Sequence, residues 1–277
     1  MQRRPPPVDV PPGQDSPLSY AVHSRDVDVL NTVRAALRHG EVFLAYQPVM
    51  EARRAGHVAF YEGLLRVMDP TGRVIPARDF IQIAEEQELG RQLDCAALEL
   101  GLRTLLDAPE VRLSLNMSAR SIGYGEWLRV LRAGLAQDPS IGERLILEIT
   151  EASAMRVPEL VMGFMRQMRR HGIAFALDEF GAGLTSLRHL RDFRFDLAKF
   201  DQQFCAQMRN TPSNQLLVQV MAQISRKFSM MTVATGVEEK STATWLRTVG
   251  VDCLQGYHFA APTMQPPWLP ENRKGVG

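Results

Sequence analysis

The chain has 277 residues, of which 45% are hydrophobic and 23% are charged. This composition is typical of a folded globular protein and excludes a largely disordered chain. Lys and Arg total 32 and Asp and Glu total 31, so the net charge is +1 and gives no reason to expect DNA binding. Cys95, Cys205 and Cys253 are too widely spaced for a zinc site or a disulfide framework. No apolar run reaches the roughly 18 residues of a membrane span, so we expect a cytoplasmic protein without membrane contact.

Composition divides the chain into three parts. Residues 1–22 are basic and proline-rich and predict a disordered lead-in. Residues 23–264 form one domain, because no change in composition separates two. Residues 265–277 contain further proline and glycine and predict a loose C-terminal tail.

Within the domain, short apolar runs alternate with longer segments of helical spacing. The first predicted helix covers Asp26–His39, with Gly40 as its stop. Two later helices carry apolar stripes over 160–168 and 216–228, and we expect both stripes to pack against a sheet. Eight strands are predicted, over 42–49, 57–66, 112–117, 145–150, 174–180, 197–201, 231–237 and 253–259.

The connections between these strands indicate the topology. Residues 50–56 are too few for a crossover helix, so the first two strands should pair antiparallel. The other connections are long enough for helices and predict parallel strands with right-handed crossovers. Eight strands in a chain of this length favour a closed, modified TIM (β/α)₈ barrel with one antiparallel strand.

Polar residues stand at the ends of the predicted strands, which a barrel would bring together at its C-terminal mouth. Several carboxylates in one mouth repel one another and need a cation. Carboxylates and an amide without a Cys/His cluster favour Mg²⁺ or Mn²⁺, and metal ions beside a lysine suit phosphodiester hydrolysis. These strand-end residues are Glu62, Asn116, Glu148, Glu151, Asp178, Glu179, Lys199, Asp201, Glu238, Glu239 and Gln255.

The sequence resembles the EAL family of cyclic di-GMP phosphodiesterases, which act in bacterial signalling. Eight segments in the family's order carry the resemblance: YQPV from Tyr46, YEGLLR from Tyr61, LNMS from Leu115, LEITE from Leu147, FALDEFGAGLTSL from Phe175, LAKFD from Leu197, VATGVEE from Val233 and LQGYHF from Leu254. The resemblance implies a modified barrel with one antiparallel strand and cyclic di-GMP bound across the strand C-termini.

The resemblance also implies roles for individual residues. Lys199 matches a lysine that helps to activate the attacking water. Glu238 matches an acid that supports the metal-site loop, and Gln255 matches a glutamine that holds the water or a second metal. The matching metal ligands are Glu62, Asn116, Glu148, Asp178 and, in altered form, Glu179, and the matching dinucleotide contacts are Gln47, Leu64 and Arg66.

The sequence departs from the family pattern at four places. Gly63 replaces the alanine of the Glu-Ala-Leu motif, which should be a mild change. Glu179 replaces the second aspartate of an Asp-Asp pair and adds a methylene beside a metal that demands near-ideal geometry. Thr235 replaces the first glutamate of Glu-Gly-Val-Glu, and a hydroxyl cannot act as a carboxylate. The loop 181–186 lacks the usual threonine and tyrosine, which puts its coupling to dimer contacts in doubt.

Three hypotheses follow from these matches and departures. Thr235 and Glu179 favour a cyclic di-GMP receptor or severely impaired phosphodiesterase, with at least one divalent ion and a weakened second site. The retained acids, Lys199 and Gln255 favour the alternative, an active phosphodiesterase that produces linear pGpG. The third hypothesis, a protein-interaction domain without nucleotide, is opposed by the retained Arg66. Regulation through a homodimer or an unidentified protein partner stays open.

Overall fold

Two long strands, β1 (Val42–Glu51) and β2 (Val58–Met68), pair antiparallel as predicted, because the link between them is too short for a crossover. The computed structural model describes residues 17–183, 187–206, 208 and 211–269. The remaining strands start with β3 (Val74–Pro76) and continue as β4 (Leu113–Asn116), β5 (Leu145–Thr150), β6 (Ala174–Phe180), β7 (Leu197–Phe200), β8 (Met231–Ala234) and β9 (Cys253–Leu254).

Eight of the nine strands close into a barrel in the order β1-β9-β8-β7-β6-β5-β4-β2, and β1 also pairs with β2. Strand β1 is antiparallel to both of its neighbours, whereas β2 and β4 to β9 are parallel to one another. The predicted fold is therefore confirmed. Strand β3 pairs with β2 outside the barrel and was not predicted.

The last two strands are shorter than predicted because the chain turns after each of them at a glycine in left-handed conformation, Gly236 (φ 69°) and Gly256 (φ 156°).

Helices cover the outside of the barrel along most connections. The helices are α1 (Pro17–His39), α2 (Ile81–Ala84), α3 (Glu88–Asp107), α4 (Gly125–Gln137), α5 (Ile141–Arg144), α6 (Glu151–Arg156), α7 (Pro158–Met168), α8 (Leu187–Asp192), α9 (Gln202–Cys205), α10 (Pro212–Lys227) and α11 (Lys240–Val249).

The expectation for the apolar stripe of α10 is wrong in part. Leu216 is 61% exposed, and Leu217 and Val220 are also exposed. The helix instead buries Val218 and Met221, with smaller side chains, against the barrel. Apolar residues cover more than one face of α10, and their spacing alone does not determine which face turns inward.

Both ends of the predicted domain differ from expectation where they are described. Helix α1 begins at Pro17 rather than Asp26, so residues 17–22 of the predicted lead-in are helical. In the predicted tail, Trp268 packs edge-on against Tyr46 and Tyr61, with ring centroids 5.2 and 4.5 Å away. Residues 1–16 and 270–277 lie outside the described part. No helix in the described ranges is both long and apolar enough to cross a bilayer.

A buried carboxylate, Asp94 on α3, holds the loop that follows β4. Its Oδ2 accepts hydrogen bonds from Ser121 Oγ at 2.5 Å and from the Ser118 backbone N–H at 3.0 Å. Burial raises the pKa of Asp94 to about 7 despite these two bonds. Between about pH 4 and this value the folded chain binds a proton that the unfolded chain releases, so the contribution of Asp94 to stability is lost as the pH rises.

We therefore expect Asp94→Asn to gain stability relative to wild type as the pH rises. The difference in free energy of unfolding should shift by about 2–4 kcal/mol in favour of the variant between pH 4.5 and pH 8. Urea denaturation at both pH values measures it, with Asp28→Asn on the exposed face of α1 as the control. A difference that does not vary with pH would contradict this account.

Candidate functional site

An open cavity of about 420 Å³ lies at the C-terminal mouth of the barrel. Ten of the predicted site residues line it, and the other two, Asn116 and Glu148, contact Glu62 and Lys199 at its floor. The structure thus brings these twelve residues together. Of the other predicted strand-end acids, Asp201 also lines the cavity, whereas Glu151 and Glu239 do not. The ten lining residues are Gln47, Glu62, Leu64, Arg66, Asp178, Glu179, Lys199, Thr235, Glu238 and Gln255.

Strand periodicity explains this convergence. A cluster of buried apolar residues fills the N-terminal end of the barrel interior. Side chains two residues apart on a strand point to the same face. Six of the seven parallel strands, or the residue directly after them, therefore place a polar side chain above an apolar one. The pairs are Phe60 and Glu62, Ile146 and Glu148, Ala176 and Asp178, Leu197 and Lys199, Val233 and Thr235, and Cys253 and Gln255, while the reversed strand β1 contributes Val49 and Gln47.

Glu62 is held by two side-chain amides, those of Asn116 and Gln255. Its Oε1 accepts from Asn116 Nδ2 at 2.9 Å, and its Oε2 accepts from Gln255 Nε2 at 2.6 Å. Gln255 Nε2 also lies 3.1 Å from Gln47 Oε1, and Gln47 in turn donates to the Ala260 carbonyl at 3.1 Å. This network fixes the orientation of the Glu62 carboxylate.

Lys199 supplies the positive charge at the centre of the floor. The side chain is 2% exposed, and its Nζ lies 3.0 Å from Glu62 Oε2, 3.6 Å from Asp178 Oδ1 and in contact with Glu148 Oε2. Burial alone would lower the pKa of Lys199, but Asp178, Glu148 and Glu62 together raise it well above its ordinary value. The lysine therefore stays protonated among the three acids.

One lysine cannot neutralise three carboxylates, and the pKa values of the acids differ accordingly. Burial would raise the pKa of Glu62, but Lys199 and its amide donors outweigh burial and lower it. Burial, reinforced by Glu62, raises the pKa of Glu148 to about 8. Burial likewise raises the pKa of Asp178. Without a further cation the floor thus favours an ionised Glu62 and a proton on Glu148 near neutral pH.

The carboxylates and amides at the floor are compatible with a hard divalent ion. The buried Oε1 of Glu148 has no hydrogen-bond donor among the described residues, so one oxygen is free for a cation. Oxygen donors of this kind suit Mg²⁺ or Mn²⁺. Within the described ranges, however, no group of three acidic, His or Cys side chains is already arranged as a metal site. Lys199 lies among the carboxylates, which must turn from it to hold an ion.

The Asp178–Glu179 pair lies at an irregularity of β6. The register with β7 shifts between Leu177 and Phe180, and Glu179 has a left-handed backbone with φ 54°. A glutamate adopts this conformation less readily than an aspartate. Burial in the cleft, Asp178 and Asp201 raise the pKa of Glu179. Glu179 therefore combines a longer side chain with a less favourable backbone than the aspartate of the motif.

Thr235 follows β8 and lines the cavity. Its Oγ1 donates a hydrogen bond to the Phe200 carbonyl on the neighbouring strand at 2.7 Å. The hydroxyl proton is therefore directed to the backbone, and the side chain carries no charge. At this position the chain has no group that can accept a proton from water near pH 7.

Glu151, the first residue of α6, is one of the predicted strand-end residues, and the resemblance assigned no role to it. It is buried, and its Oε2 accepts the Gly181 backbone N–H at 2.8 Å. Glu151 thus holds the start of the loop after Asp178 and Glu179. The sequence feature that indicated Glu151 is the LEITE segment, which ends at this residue. Glu238 is exposed at the mouth, and its support of the loop stays a prediction. Residues 184–186 of that loop lie outside the described part.

Two residues that line the cavity were not predicted from the sequence, Arg78 and Tyr257. Arg78 belongs to a 3₁₀ turn that follows the unpredicted strand β3, so its position could not be inferred. Tyr257 follows Gly256, whose left-handed backbone redirects the chain at the mouth. An added Cβ at Gly256 would lie 2.1 Å from the Val237 carbonyl oxygen, so only glycine fits there.

The chain matches one domain family over most of its length. The EAL domain sequence profile covers residues 30–262. Curated relatives include the cyclic di-GMP phosphodiesterase PdeB of Shewanella oneidensis, 28% identical over 83% of this chain, and PdeR of Escherichia coli, 29% identical over 83%. The uncharacterized protein y4lL of Sinorhizobium fredii is 31% identical over 83%. The chain spans 28% of y4lL, 27% of PdeB and 35% of PdeR.

Solved structures agree with this match. A complex of the PaMucR phosphodiesterase with cyclic di-GMP has a TM-score of 0.79 and 26% sequence identity, and the alignment covers 89% of this chain and 99% of that one. The EAL domain of FimX from Pseudomonas aeruginosa, bound to cyclic di-GMP, has a TM-score of 0.78 and 24% identity over 86% and 97% of the two chains. With the profile match and the closed barrel, these similarities show that the chain belongs to the EAL domain family.

Proposed function

We propose that this chain binds cyclic di-GMP as a receptor and hydrolyses it slowly or not at all. The observation that carries the proposal is Thr235, whose hydroxyl donates to the Phe200 carbonyl where the motif has a carboxylate. Loss of a group that transfers a proton typically costs about 10²–10⁴ in rate. The residues that hold the ligand do not depend on that group, so binding survives where turnover does not.

The binding part of the proposal is supported by the cavity wall. Arg66 is a half-buried guanidinium that lines the cavity beside Leu64, and a guanidinium pairs well with phosphate oxygens. Its Nη1 donates to the Leu65 carbonyl at 2.9 Å, which orients the side chain before any ligand arrives. The named ligand of PaMucR and FimX is the same dinucleotide.

In hydrolysis, water would add to one phosphorus and the 3′ oxygen would leave with a proton, giving linear pGpG. Glu62, Asn116, Glu148 and Asp178 would hold Mg²⁺ or Mn²⁺, which lowers the pKa of a bound water and stabilises charge on the phosphate. Lys199 keeps a fixed positive charge beside the reacting group. Because Glu179 is longer than aspartate and Thr235 is neutral, we expect a second ion to bind weakly.

An active phosphodiesterase is the second candidate, and the retained floor favours it. Lys199, the three acids that surround it and the Gln255 network are all in place. The two candidates make the same prediction for binding and differ only in the rate of pGpG formation. A homodimer, an unidentified protein partner and a cytoplasmic location stay predictions from the sequence.

Calorimetry with cyclic di-GMP in EDTA tests the receptor proposal. We expect the wild type to bind without metal and Arg66→Ala to bind more weakly by about 1.5–3 kcal/mol, the range for a hydrogen bond to a charged group. Arg103→Ala is the control, since Arg103 pairs with Glu99 on the outer face of α3, away from this cavity. A wild type that fails to bind in EDTA contradicts the receptor proposal. If product assays with Mg²⁺ or Mn²⁺ then give about 1 s⁻¹ or more, the second candidate is supported instead.

A further inference from the structure

We propose that Arg78 and Arg66 together form a second anion subsite, which holds the phosphodiester of cyclic di-GMP that lies away from the carboxylate floor. The inference rests on the proposed function and adds a residue to its binding site. None of the motif segments contains Arg78, and the resemblance assigns no role to it.

Local structure places the two arginines on one rim of the cavity. Strand β3 pairs antiparallel with β2, and Arg66 lies directly opposite Pro76 in that pairing. The chain then enters the 3₁₀ turn Ala77–Asp79, which puts Arg78 two residues beyond Pro76. All of Arg66, Pro76 and Arg78 line the cavity.

Charge within the cavity is unevenly distributed. The end formed by Asp178, Glu179 and Asp201 is acidic, whereas Arg66 and Arg78 make the other rim basic. Burial lowers the pKa of Arg66, and the charge of Arg78 lowers it further, as expected for two cations that line the same cavity. Repulsion between neighbouring cations is relieved when an anion binds between them.

Asp79 competes only weakly with such an anion for Arg78. The Nε of Arg78 lies 3.7 Å from Asp79 Oδ1, and the two side chains are 77% and 54% exposed. Exposed ion pairs of this kind contribute little free energy, so Arg78 can leave Asp79 and bind a ligand with only a small loss. Arg78 lines the cavity and its side chain is mostly exposed, so the guanidinium can turn toward a ligand there.

The ligand's own charge explains why a phosphate fits this rim. Cyclic di-GMP has two phosphodiesters on opposite sides of its ring, each with one negative charge. If one lies over the floor beside Lys199, the other lies across the cavity and needs a separate cation. A neutral guanine edge would leave the repulsion between Arg66 and Arg78 in place, whereas a phosphate removes it.

Calorimetry of Arg78→Gln with cyclic di-GMP in EDTA tests the inference at about 50 and 500 mM salt. At low salt we expect binding about 3–10-fold weaker than wild type, between the values for an exposed pair and a buried charged hydrogen bond. At high salt the difference should shrink, because screening weakens the wild-type contact. Arg78→Lys keeps the charge and should recover part of the loss.

Arg73→Gln is the matched control, because Arg73 lies on the same β2–β3 hairpin, is 76% exposed and does not line the cavity. Its affinity should equal that of wild type. Equal affinity of Arg78→Gln and wild type overturns the inference but leaves the proposed function intact. A loss of the same size at both salt concentrations overturns the phosphate assignment in favour of a base contact. A wild type that binds no cyclic di-GMP overturns both.

Discussion

Thr235→Glu is expected to raise the rate of pGpG formation by about 10²–10⁴, the usual contribution of a group that transfers a proton. The physical reason is that Thr235 follows β8, two residues after the inward-facing Val233, and lines the cavity together with Lys199, so a carboxylate there reaches the cavity. It would accept the proton that the attacking water releases. Initial rates at saturating Mg²⁺, and again at saturating Mn²⁺, measure the effect.

Glu179→Asp should add to this gain. The shorter side chain removes a methylene beside Asp178, and aspartate tolerates the left-handed backbone at φ 54° better than glutamate does. Because both changes rebuild one oxygen-rich, negatively charged clamp around the same ion, their effects should be coupled. We expect the double variant to exceed the product of the two single gains.

Thr235→Gln is the matched control for the repair. It breaks the hydrogen bond to the Phe200 carbonyl and has nearly the size of glutamate, but it carries no charge. It should therefore stay as slow as wild type. If the wild type forms pGpG at about 1 s⁻¹ or more, Thr235 does not impair hydrolysis. If the double variant binds nucleotide and remains inactive, the cause lies elsewhere, and the loop 182–186 becomes the first candidate.

The polar layer of the site could be predicted because strand periodicity carries it. In LEITE, Glu148 lies between two apolar residues of a buried strand, and Lys199 likewise lies between Ala198 and Phe200. A barrel turns such positions toward one mouth whatever the details of the helices. The antiparallel start was predictable for a similar reason, since a short link excludes a crossover.

Other features of the site depend on contacts that no local pattern encodes. The short strand β3 has only three residues and ends at Pro76, so it has no periodicity to read, and Arg78 was missed with it. Glu151 starts a helix, and its bond to Gly181 joins the start of that helix to a loop 30 residues later in the chain. The bond from Thr235 to the Phe200 carbonyl is likewise a cross-strand contact, which only the closed barrel creates.

Lys199→Met is expected to destabilise the fold by about 3–5 kcal/mol at pH 8, the range for removing one partner of a buried ion pair. Methionine keeps an unbranched chain of similar length but removes the charge that Glu62, Glu148 and Asp178 share. With the lysine gone, the pKa of Glu62 loses the influence that lowers it. Burial raises the pKa values of Glu148 and Asp178 above their ordinary ones, so the contribution of these two acids to stability is lost as the pH rises.

The loss of stability caused by Lys199→Met should therefore shrink from pH 8 to pH 5, because the buried acids take up protons and no longer repel one another. Urea denaturation at both pH values measures this, and Lys240→Met at the exposed start of α11 should stay within about 0.5 kcal/mol of wild type. A loss of stability of equal size at both pH values would show that Lys199 acts through packing and not through charge.

Mn²⁺ gives an independent check at pH 8. An ion that binds only the folded chain stabilises it, and it can replace the missing ammonium only in the variant. Mn²⁺ should accordingly raise the urea midpoint of Lys199→Met more than that of wild type.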